Sequence, residues 1–572
     1  MLNPFTPRSL ASSNDFWLLT TLHMEHALNA ELGVTVTAAL VLGVIVHQSI
    51  RLIEIDNRVW TLLILFSGFN AAAFVGYAFV VQHGILAAGF RVFVVDGAFL
   101  TGVYGSIAIY RLFFHRLRNF PGPWGATLSR FWALRRSMKK VQFNYEVEAL
   151  HKQYGDFVRI GPREISINRA SAIDLVYGPP SKLPKSTWYS QVSDDVNKCS
   201  INSTRDMQIQ RRRRRAWDRG FSIKALSTYE PRVKAKTDLL LSQIARTKGS
   251  AMNITEWSMF YTFDVMGDIG LSKDFEMLTT GGEHKAIKAL HDQMITIGTL
   301  GTLPWLLAFF SAIPGIAGTF RDFMEFCRDQ LEEKKRLTGK DQEPRDVISW
   351  LIKAKYENDQ SAPPSDFALS EDTRLIIIAG SDTTAAALAN TFFYLAKNPI
   401  VQQKLQKELD TVFPTGEKDW TYEKAKFPYL DNIINESLRL KPPVPGGLPR
   451  ITPPQRLQID EVYIPGDTIV GVPVHTLQRD PRYFERPLDF VPERWEKTSV
   501  EKNPFFPFSK GAFGCVGKQL AMMELRMVLS RVALGFDISF ADGEDGVKFD
   551  AEVLDTFTLT LPPLKMKFTP RH

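Results

Sequence analysis

Cys515 is the residue of this sequence whose surroundings best suit chemistry at a sulfur atom. It follows the glycine-rich segment 508–514, and Gly517 and a helical pattern over residues 518–529 come directly after it. Backbone N–H groups at such a turn offer hydrogen bonds and positive potential to a thiolate, and glycines let the backbone approach the sulfur closely. The pattern therefore indicates a thiolate that ligates iron, while a buried inert cysteine and a nucleophilic cysteine stay open. A phosphatase-type loop is disfavoured, because residue 521 is alanine where an arginine would be needed.

An acid and an alcohol, Asp382 and Thr383, stand in the middle of the apolar helical stretch 375–396. The plain interpretation is a helix N-cap, where Asp and Thr are strongly preferred. The chemical alternative is that a carboxyl beside a hydroxyl organises water and passes protons to a reacting group. The small residues Ala379 and Gly380 come just before the pair.

Two groups of arginines have both structural and functional interpretations. Glu436 and Arg439 lie three apart on one face of a predicted helix, where a surface ion pair would contribute only ~0.3 kcal/mol. The run 211–215 is all arginine, which fits a nuclear-localisation or nucleic-acid patch by composition. A solvated helix face is the simpler interpretation of that run.

The segment around Cys515 resembles the cysteine-ligand loop of the cytochrome P450 family. Phe508, Gly511, Cys515, Gly517 and Ala521 stand at the family's expected positions, and further signatures follow in the family's order across nearly all of the chain beyond residue 118. The resemblance implies a mainly α fold with a smaller β-rich lobe. It also implies haem b (heme b, iron protoporphyrin IX) as the cofactor, with Cys515 as the axial iron ligand and Phe508, Gly511 and Gly517 in the haem-binding loop.

The same resemblance assigns roles to the other motifs. It implies that Asp382 and Thr383 are the catalytic proton-delivery pair, on a long helix that crosses the distal face of the haem. Ala379 and Gly380 would leave room there for dioxygen. The resemblance also implies that Glu436, Arg439 and Arg494 form a buried structural network that supports the haem core.

Positive charges must neutralise the haem propionates, and here the sequence departs from the family. Phe513 replaces the usual Arg or His, and Gln210 replaces the usual Trp four residues before Arg214. Arg214 and Arg450 match other family positions that face the propionates, so the resemblance implies that they carry the neutralisation between them. We therefore predict that Arg214→Ala with Arg450→Ala weakens haem retention. Phe513→Arg is expected to be tolerated. The remaining arginines of the run 211–215 would present a basic surface to an acidic electron donor.

The elements that must position these residues follow a membrane-like N-terminal part. Residues 32–53, 59–81 and 91–114 are apolar stretches near the ~20 residues that a spanning helix needs. A cleavable signal peptide is disfavoured, since the first stretch starts far from Met1 and two more follow it. Arginines cluster in the first connection and after the third stretch, which predicts a lumenal N-terminal tail and a cytosolic catalytic part. The proline-rich segment 119–125 marks the boundary between an anchor, residues 1–118, and a haem-binding domain, residues 119–572.

Helical patterns dominate from there to about residue 440, for example over residues 237–244, 322–331 and 401–412. Beyond Pro442, prolines and short β-rich runs such as 457–464 and 557–568 take over. Glycine and proline interrupt the apolar segment 294–316, which predicts helices beside an apolar pocket or the bilayer and not a fourth span.

Composition narrows the choice of partners. The three cysteines are too few and too scattered for a disulfide framework and suit a reducing compartment. The net charge of +7 fits an anionic membrane surface or an acidic protein as well as nucleic acid, and no nucleic-acid partner is expected. No dinucleotide fingerprint is visible, so electrons are expected from a separate NADPH-cytochrome P450 reductase of the endoplasmic reticulum membrane, with or without cytochrome b5.

The resemblance implies a haem-thiolate monooxygenase that inserts one oxygen atom from O2 into a lipophilic small molecule. Apolar residues near 376–380 and 444–448 favour such a substrate. The three-span anchor and the phenylalanine-rich ligand loop look like those of fungal members in secondary-metabolite biosynthesis. Two alternatives stay open: a haem-thiolate isomerase or dehydratase without an external reductant, and a non-enzymatic haem sensor or scaffold. Asp382 and Thr383 argue for oxygen activation against both.

Overall fold

The computed structural model describes residues 30–55, 58–190, 193–313, 315 and 318–571. These residues divide into two units, one that ends at Arg118 and one that begins at Asn119. The N-terminal tail that the charge pattern places in the lumen lies outside the described residues.

The first unit contains three helices that are long and apolar enough to cross a membrane: α1 Leu32–Ile50, α2 Val59–Val75 and α3 Ile85–Ile109. A turn of π-helix extends α2 through Val80 and α3 through Phe114. α3 begins earlier than the predicted residue 91, because Arg91 finds partners within the unit. Its guanidinium donates to the Ala30 carbonyl at 3.4 Å and lies 5.7 Å from the centre of the Tyr77 ring.

The second unit is built mainly from helices. In chain order they are α4 Trp124–Leu128, α5 Phe131–Lys140, α6 Phe143–Tyr154, α7 Ser171–Val176, α8 Met207–Gly220, α9 Ile223–Arg246, α10 Ile254–Leu271, α11 Met277–Thr280, α12 Lys285–His291, α13 Met294–Leu300, α14 Pro304–Ser311, α15 Gly318–Leu337, α16 Val347–Tyr356, α17 Asp366–Lys397, α18 Pro399–Val412, α19 Pro428–Leu440, α20 Val474–Leu477, α21 Arg494–Lys497, α22 Lys518–Gly535 and α23 Val547–Ala551.

Short strands form small sheets in the same unit. They are β1 Phe157–Gly161, β2 Glu164–Ile167, β3 Met252–Asn253, β4 Arg450–Ile451, β5 Leu457–Ile459, β6 Val462–Ile464, β7 Ile469–Gly471, β8 Phe536–Phe540, β9 Leu554–Thr556, β10 Thr558–Thr560 and β11 Lys565–Pro570. One sheet has the order β1-β2-β7-β4, with β2 and β7 parallel, and another has the order β3-β11-β8. Two-stranded sheets join β5 with β6 and β9 with β10. The fold is therefore mainly α with a smaller β-rich part, as predicted.

Most of the predicted segments are found where the patterns place them. The helical segments fall inside α9, α15 and α18, and the β-rich runs contain β5, β6 and β10. The sequence patterns miss the β1–β2 hairpin, because runs of four or five residues carry little periodicity inside an otherwise helical region. The apolar segment 294–316 contains α13 and α14, and residues 314, 316 and 317 lie outside the described residues.

α17 organises the core of the second unit. It is also long and apolar enough to cross a membrane, but 67% of its apolar window is buried inside the protein. It packs against α10, where a Cβ on Gly270 would lie 2.7 Å from Ile376 Cγ2. α22 packs against α17 as well. α17 and the N-terminus of α22 carry the two motifs with the clearest chemistry.

Candidate functional site: the Cys515 loop and the α17 helix

The loop that carries Cys515 is fixed by glycine and by its own backbone. Gly511 adopts φ +62°, and a Cβ there would lie 2.5 Å from the Tyr177 carbonyl oxygen, so a side chain would be strained. The Cys515 N–H donates to the Phe508 carbonyl at 2.9 Å. Gly517 is the N-cap of α22. The loop thus presents the sulfur at the start of a long helix.

The Cys515 side chain is accessible although protein surrounds it. Desolvation by burial raises the pKa of its thiol, while the N–H groups of Gly517 and Lys518 and the charge of Arg214 oppose that shift. A thiol that other groups surround but that keeps accessible surface leaves room beside it for a bound group. The surrounding donors favour the thiolate, which is the form that ligates a metal.

The acid and the alcohol lie in the middle of α17 and not at a helix N-cap. The Thr383 hydroxyl donates to the Ala379 carbonyl at 2.8 Å, and the Asp382 side chain is 9% exposed. Ala379 itself is exposed although its helix is largely buried. This turn of α17 therefore also borders an internal space.

Gly380 does not share that space. A Cβ on Gly380 would collide with the Met266 side chain of α10, so the glycine serves the close packing of two helices. Of the pair, Ala379 is exposed, while a side chain on Gly380 would project toward α10. That the two leave room for dioxygen stays a prediction.

Two buried cations enclose the Phe513 ring. Lys185 Nζ lies 4.6 Å and Arg450 Cζ lies 4.7 Å from its centre, so the ring stabilises both charges. Among the described residues, no carboxylate pairs with either cation. Lys185 donates to the Asn202 carbonyl at 2.7 Å, and Arg450 Nε has no partner. Burial, together with the charge of Arg450, holds the pKa of Lys185 well below its usual range.

These residues fit a haem. Buried cations without a carboxylate partner are unfavourable, and propionates beside them would remove that penalty. The accessible sulfur of Cys515 and the open turn at Ala379 suit the two faces of such a group. Sequence reasoning missed Lys185, because no local pattern brings it to Phe513. The expectation that Phe513→Arg is tolerated stays a prediction, and it now includes the nearby Lys185 and Arg450.

Arg214 is engaged with the cysteine loop itself. Its Nη1 donates to the Gly514 carbonyl at 2.7 Å, and its Nε donates to Asp218 Oδ1 at 2.7 Å. Because these contacts already use two of its donor groups, the geometry favours Lys185 over Arg214 as the companion of Arg450.

The other arginines of the run 211–215 divide into two kinds. Arg211, Arg212 and Arg215 are exposed on α8. Arg213 is buried and pairs with the fully buried Asp372 of α17 at 2.8 Å. The expectation that all of them form a basic surface is therefore wrong for Arg213.

Glu436, Arg439 and Arg494 come together in one buried network. Arg439 donates from Nε and Nη2 to the two Glu436 oxygens, each at 2.9 Å, and Arg494 Nε donates to Glu436 Oε1 at 2.9 Å. Trp495 Nε1 and the Val491 N–H complete the shell of the carboxylate at 3.0 Å. Glu436 and Arg439 are fully buried. The network ties α19 to α21 and to the loop that precedes it.

Known proteins resemble the chain over most of its length. The family model for cytochrome P450 matches residues 121–569. The chain is 40% identical over 476 residues to the cytochrome P450 monooxygenase orf5 of Eupenicillium brefeldianum, which covers 83% of this chain and 95% of that protein. It is 38% identical over 542 residues to the cytochrome P450 monooxygenase FCK2 of Fusarium pseudograminearum, covering 93% and 97%. It is 34% identical over 481 residues to the tryprostatin B 6-hydroxylase of Aspergillus fumigatus, covering 83% and 84%.

A thiol presented by a glycine loop, buried cations beside it and a mainly helical fold describe a haem-thiolate enzyme. The chain belongs to the cytochrome P450 family. It is a monooxygenase that binds thiolate-ligated haem b, receives electrons from a redox partner and acts on a lipophilic substrate. Its N-terminal apolar helices associate it with a membrane.

Proposed function

We propose that Cys515 would hold the haem iron through its thiolate and that Asp382 and Thr383 would control the protons that the reaction uses. The haem supplies the activation of dioxygen. The N–H groups around the sulfur stabilise the thiolate, and Phe508, Gly511 and Gly517 hold its loop. The observation that carries the proposal is an accessible sulfur inside the protein at the start of α22.

The proposed substrate is a lipophilic secondary metabolite, with an indole-containing molecule as the first candidate. The surface offered to it is apolar: Ala379 is exposed, Leu448 is half-buried, and a Cβ on Gly446 would meet nothing within 4 Å. The relative from Aspergillus fumigatus is named for the hydroxylation of tryprostatin B.

The proposed setting is the endoplasmic reticulum membrane, with residues 1–118 as a multi-pass anchor and residues 119–572 in the cytosol. The electron donor is NADPH-cytochrome P450 reductase, with cytochrome b5 as an auxiliary donor. The exposed charges of Arg211, Arg212 and Arg215 support this pairing, because an acidic donor would meet a complementary surface.

Turnover in microsomes that contain the full chain and a fungal reductase tests the proposal. Oxygenated product from tryprostatin B, or from a panel of lipophilic indoles, should appear only with NADPH, reductase and O2 together. Product without NADPH would favour an isomerase or dehydratase. Haem-loaded protein that consumes no NADPH with any compound would favour a sensor or scaffold.

Thr383→Ala should uncouple electron use from oxygenation while the haem is retained. The hydroxyl is bonded to the Ala379 carbonyl of its own helix, so its loss should change stability little. A missing proton-transfer group typically costs about 10²-fold or more in the step that it serves. Peroxide released per NADPH should therefore rise and product should fall. The buried neighbour Thr384 provides the control Thr384→Ser, and an unchanged peroxide yield in Thr383→Ala would remove Thr383 from this role.

Lys185→Met combined with Arg450→Met should weaken haem retention without destabilising the haem-free protein. Leaving propionates buried and unpaired costs on the order of 3–5 kcal/mol, which corresponds to roughly a hundredfold or more in affinity. The haem-free protein instead loses two buried basic side chains that no carboxylate pairs with among the described residues. Haem content per protein and the free energy of unfolding of the haem-free form are the measurements.

The control for this double variant is Arg211→Met with Arg212→Met, which removes the same charge from an exposed helix face. Equal haem loss in both variants, or full haem occupancy in the Lys185 and Arg450 variant, would show that other groups neutralise the propionates.

A further inference from the structure

A histidine from outside the predicted site reaches Asp382. His291 is the last residue of α12, and its Nε2 lies 3.5 Å from Asp382 Oδ1. Its other ring nitrogen, Nδ1, is bonded to the Glu283 carboxylate in the loop before α12. The Phe263 ring meets the imidazole edge-on, with 5.7 Å between the ring centres. A carboxylate therefore contacts each ring nitrogen of His291, and the Phe263 ring packs against the imidazole.

The two carboxylates also set the charge of this histidine. Burial lowers the pKa of His291, but hydrogen bonds and charges from Asp382 and Glu283 outweigh that effect and raise it to about 9. The ring is therefore an imidazolium at neutral pH. Since the pKa is raised from its ordinary value near 6.5, the proton and the ion pairs are lost only as the pH rises through about 9.

Asp382 is the least exposed of the three side chains. Asp382 is 9% exposed, whereas His291 is 24% and Glu283 is 22% exposed. Asp382 thus has little direct contact with water, whereas His291, which contacts it, is more exposed. A line of polar side chains therefore joins Asp382 to two more exposed groups, His291 and Glu283.

We propose that His291, held by Glu283, is the positioning residue of Asp382 and the route by which that carboxyl exchanges protons with solvent. The inference rests on the proposed role of Asp382. When Asp382 passes a proton inward, the Nε2 proton of the imidazolium moves to the carboxylate, and the neutral ring regains one proton from water. One proton crosses in each cycle, and no oxidant or reductant is needed.

The first test measures the titration of His291 directly. The full-length haem protein is labelled at histidine Cε1 and followed by NMR in its diamagnetic ferrous carbon monoxide form. His291 should titrate near pH 9 in the wild type and move toward 6.5 in Asp382→Asn and in Glu283→Gln. A wild-type value near 6.5 that neither change moves would overturn the inference.

The second test measures where electrons go when the enzyme runs with reductase and NADPH and no added substrate. One NADPH, one proton and one O2 yield one peroxide, whereas two NADPH, two protons and one O2 yield two waters. Without the route to solvent, the reaction that reduces O2 to two waters should slow. His291→Gln should therefore raise the peroxide released per NADPH several-fold. His284→Gln removes a neighbouring histidine that contacts Phe326 and leaves Asp382 untouched, so it should leave the ratio unchanged.

Thr383→Ala, measured in the same assay, distinguishes a failure of the His291 route from a failure of the Asp382 and Thr383 pair. If Thr383→Ala raises peroxide and His291→Gln does not, the route through His291 is wrong while the pair on α17 stands. If neither variant raises peroxide, the pair itself fails, and the inference fails with it.

Discussion

Cys515→Ala should reduce NADPH-dependent oxygenation by at least about a thousandfold, because the change removes the proposed iron ligand and its electron donation together. The fold should survive. The side chain is small, and the loop is fixed by the Gly511 turn and by the bond from the residue 515 N–H to the Phe508 carbonyl, which alanine keeps. Activity and the melting temperature of the haem-free protein are the measurements.

The two other cysteines provide matched controls. Cys199 and Cys327 are buried, whereas Cys515 is exposed, so neither of the two offers its sulfur to a bound group. Desolvation raises the pKa of all three thiols, but among them only Cys515 has backbone N–H groups that oppose the shift. Cys199→Ala and Cys327→Ala should cost at most a small cavity and should keep activity. Wild-type turnover in Cys515→Ala, or a complete loss in either control, would contradict the assignment.

Glu436→Gln should be the most destabilising conservative change in the second unit. The carboxylate accepts from two arginines, a tryptophan and a backbone N–H in a fully buried site. An amide of the same shape leaves Arg439 and Arg494 without a charge partner, which costs on the order of 3–5 kcal/mol against a total stability of about 5–15 kcal/mol. We therefore expect a sharply reduced yield of folded, haem-containing protein and a lower melting temperature.

Glu493→Gln provides the control for this change, since Glu493 lies beside Arg494 but pairs with Lys404 at the surface, where both side chains are 38% exposed. Such a pair contributes at most about 1 kcal/mol. If Glu436→Gln melts within a degree or two of Glu493→Gln, the network does not support the fold in the way its geometry indicates.

Residues of the site that lie close together in sequence stood out by their local patterns, but the resemblance to the family assigned their roles. The local patterns alone favoured a helix N-cap for Asp382 and Thr383 and a surface ion pair for Glu436 and Arg439. The glycines around Cys515, the adjacent Asp382 and Thr383, and the spacing of Glu436 and Arg439 each place donors and acceptors within one loop or one helix turn. The helix carrying the acid was predicted to within one residue at its C-terminal end, because its apolar run is long and continuous, but it begins at Asp366, nine residues before the predicted stretch.

The parts that the sequence did not predict depend on contacts between distant segments. Lys185 meets Phe513, and His291 meets Asp382, only after the helices have packed. The burial of Arg213 could not be predicted either, because in a run of identical arginines no apolar residue shows which side of the helix is buried. The close contact that a side chain on Gly380 would make with Met266 depends on how a neighbouring helix packs.

The carbon monoxide difference spectrum of the reduced full-length protein tests the central claim most directly, because the band position reports the ligand opposite the bound gas. We expect the red-shifted band of thiolate ligation in the wild type and in the Cys199→Ala and Cys327→Ala variants, and its absence in Cys515→Ala. A red-shifted band that persists in Cys515→Ala, or that is missing from haem-loaded wild-type protein, would contradict the assignment of Cys515 as the ligand.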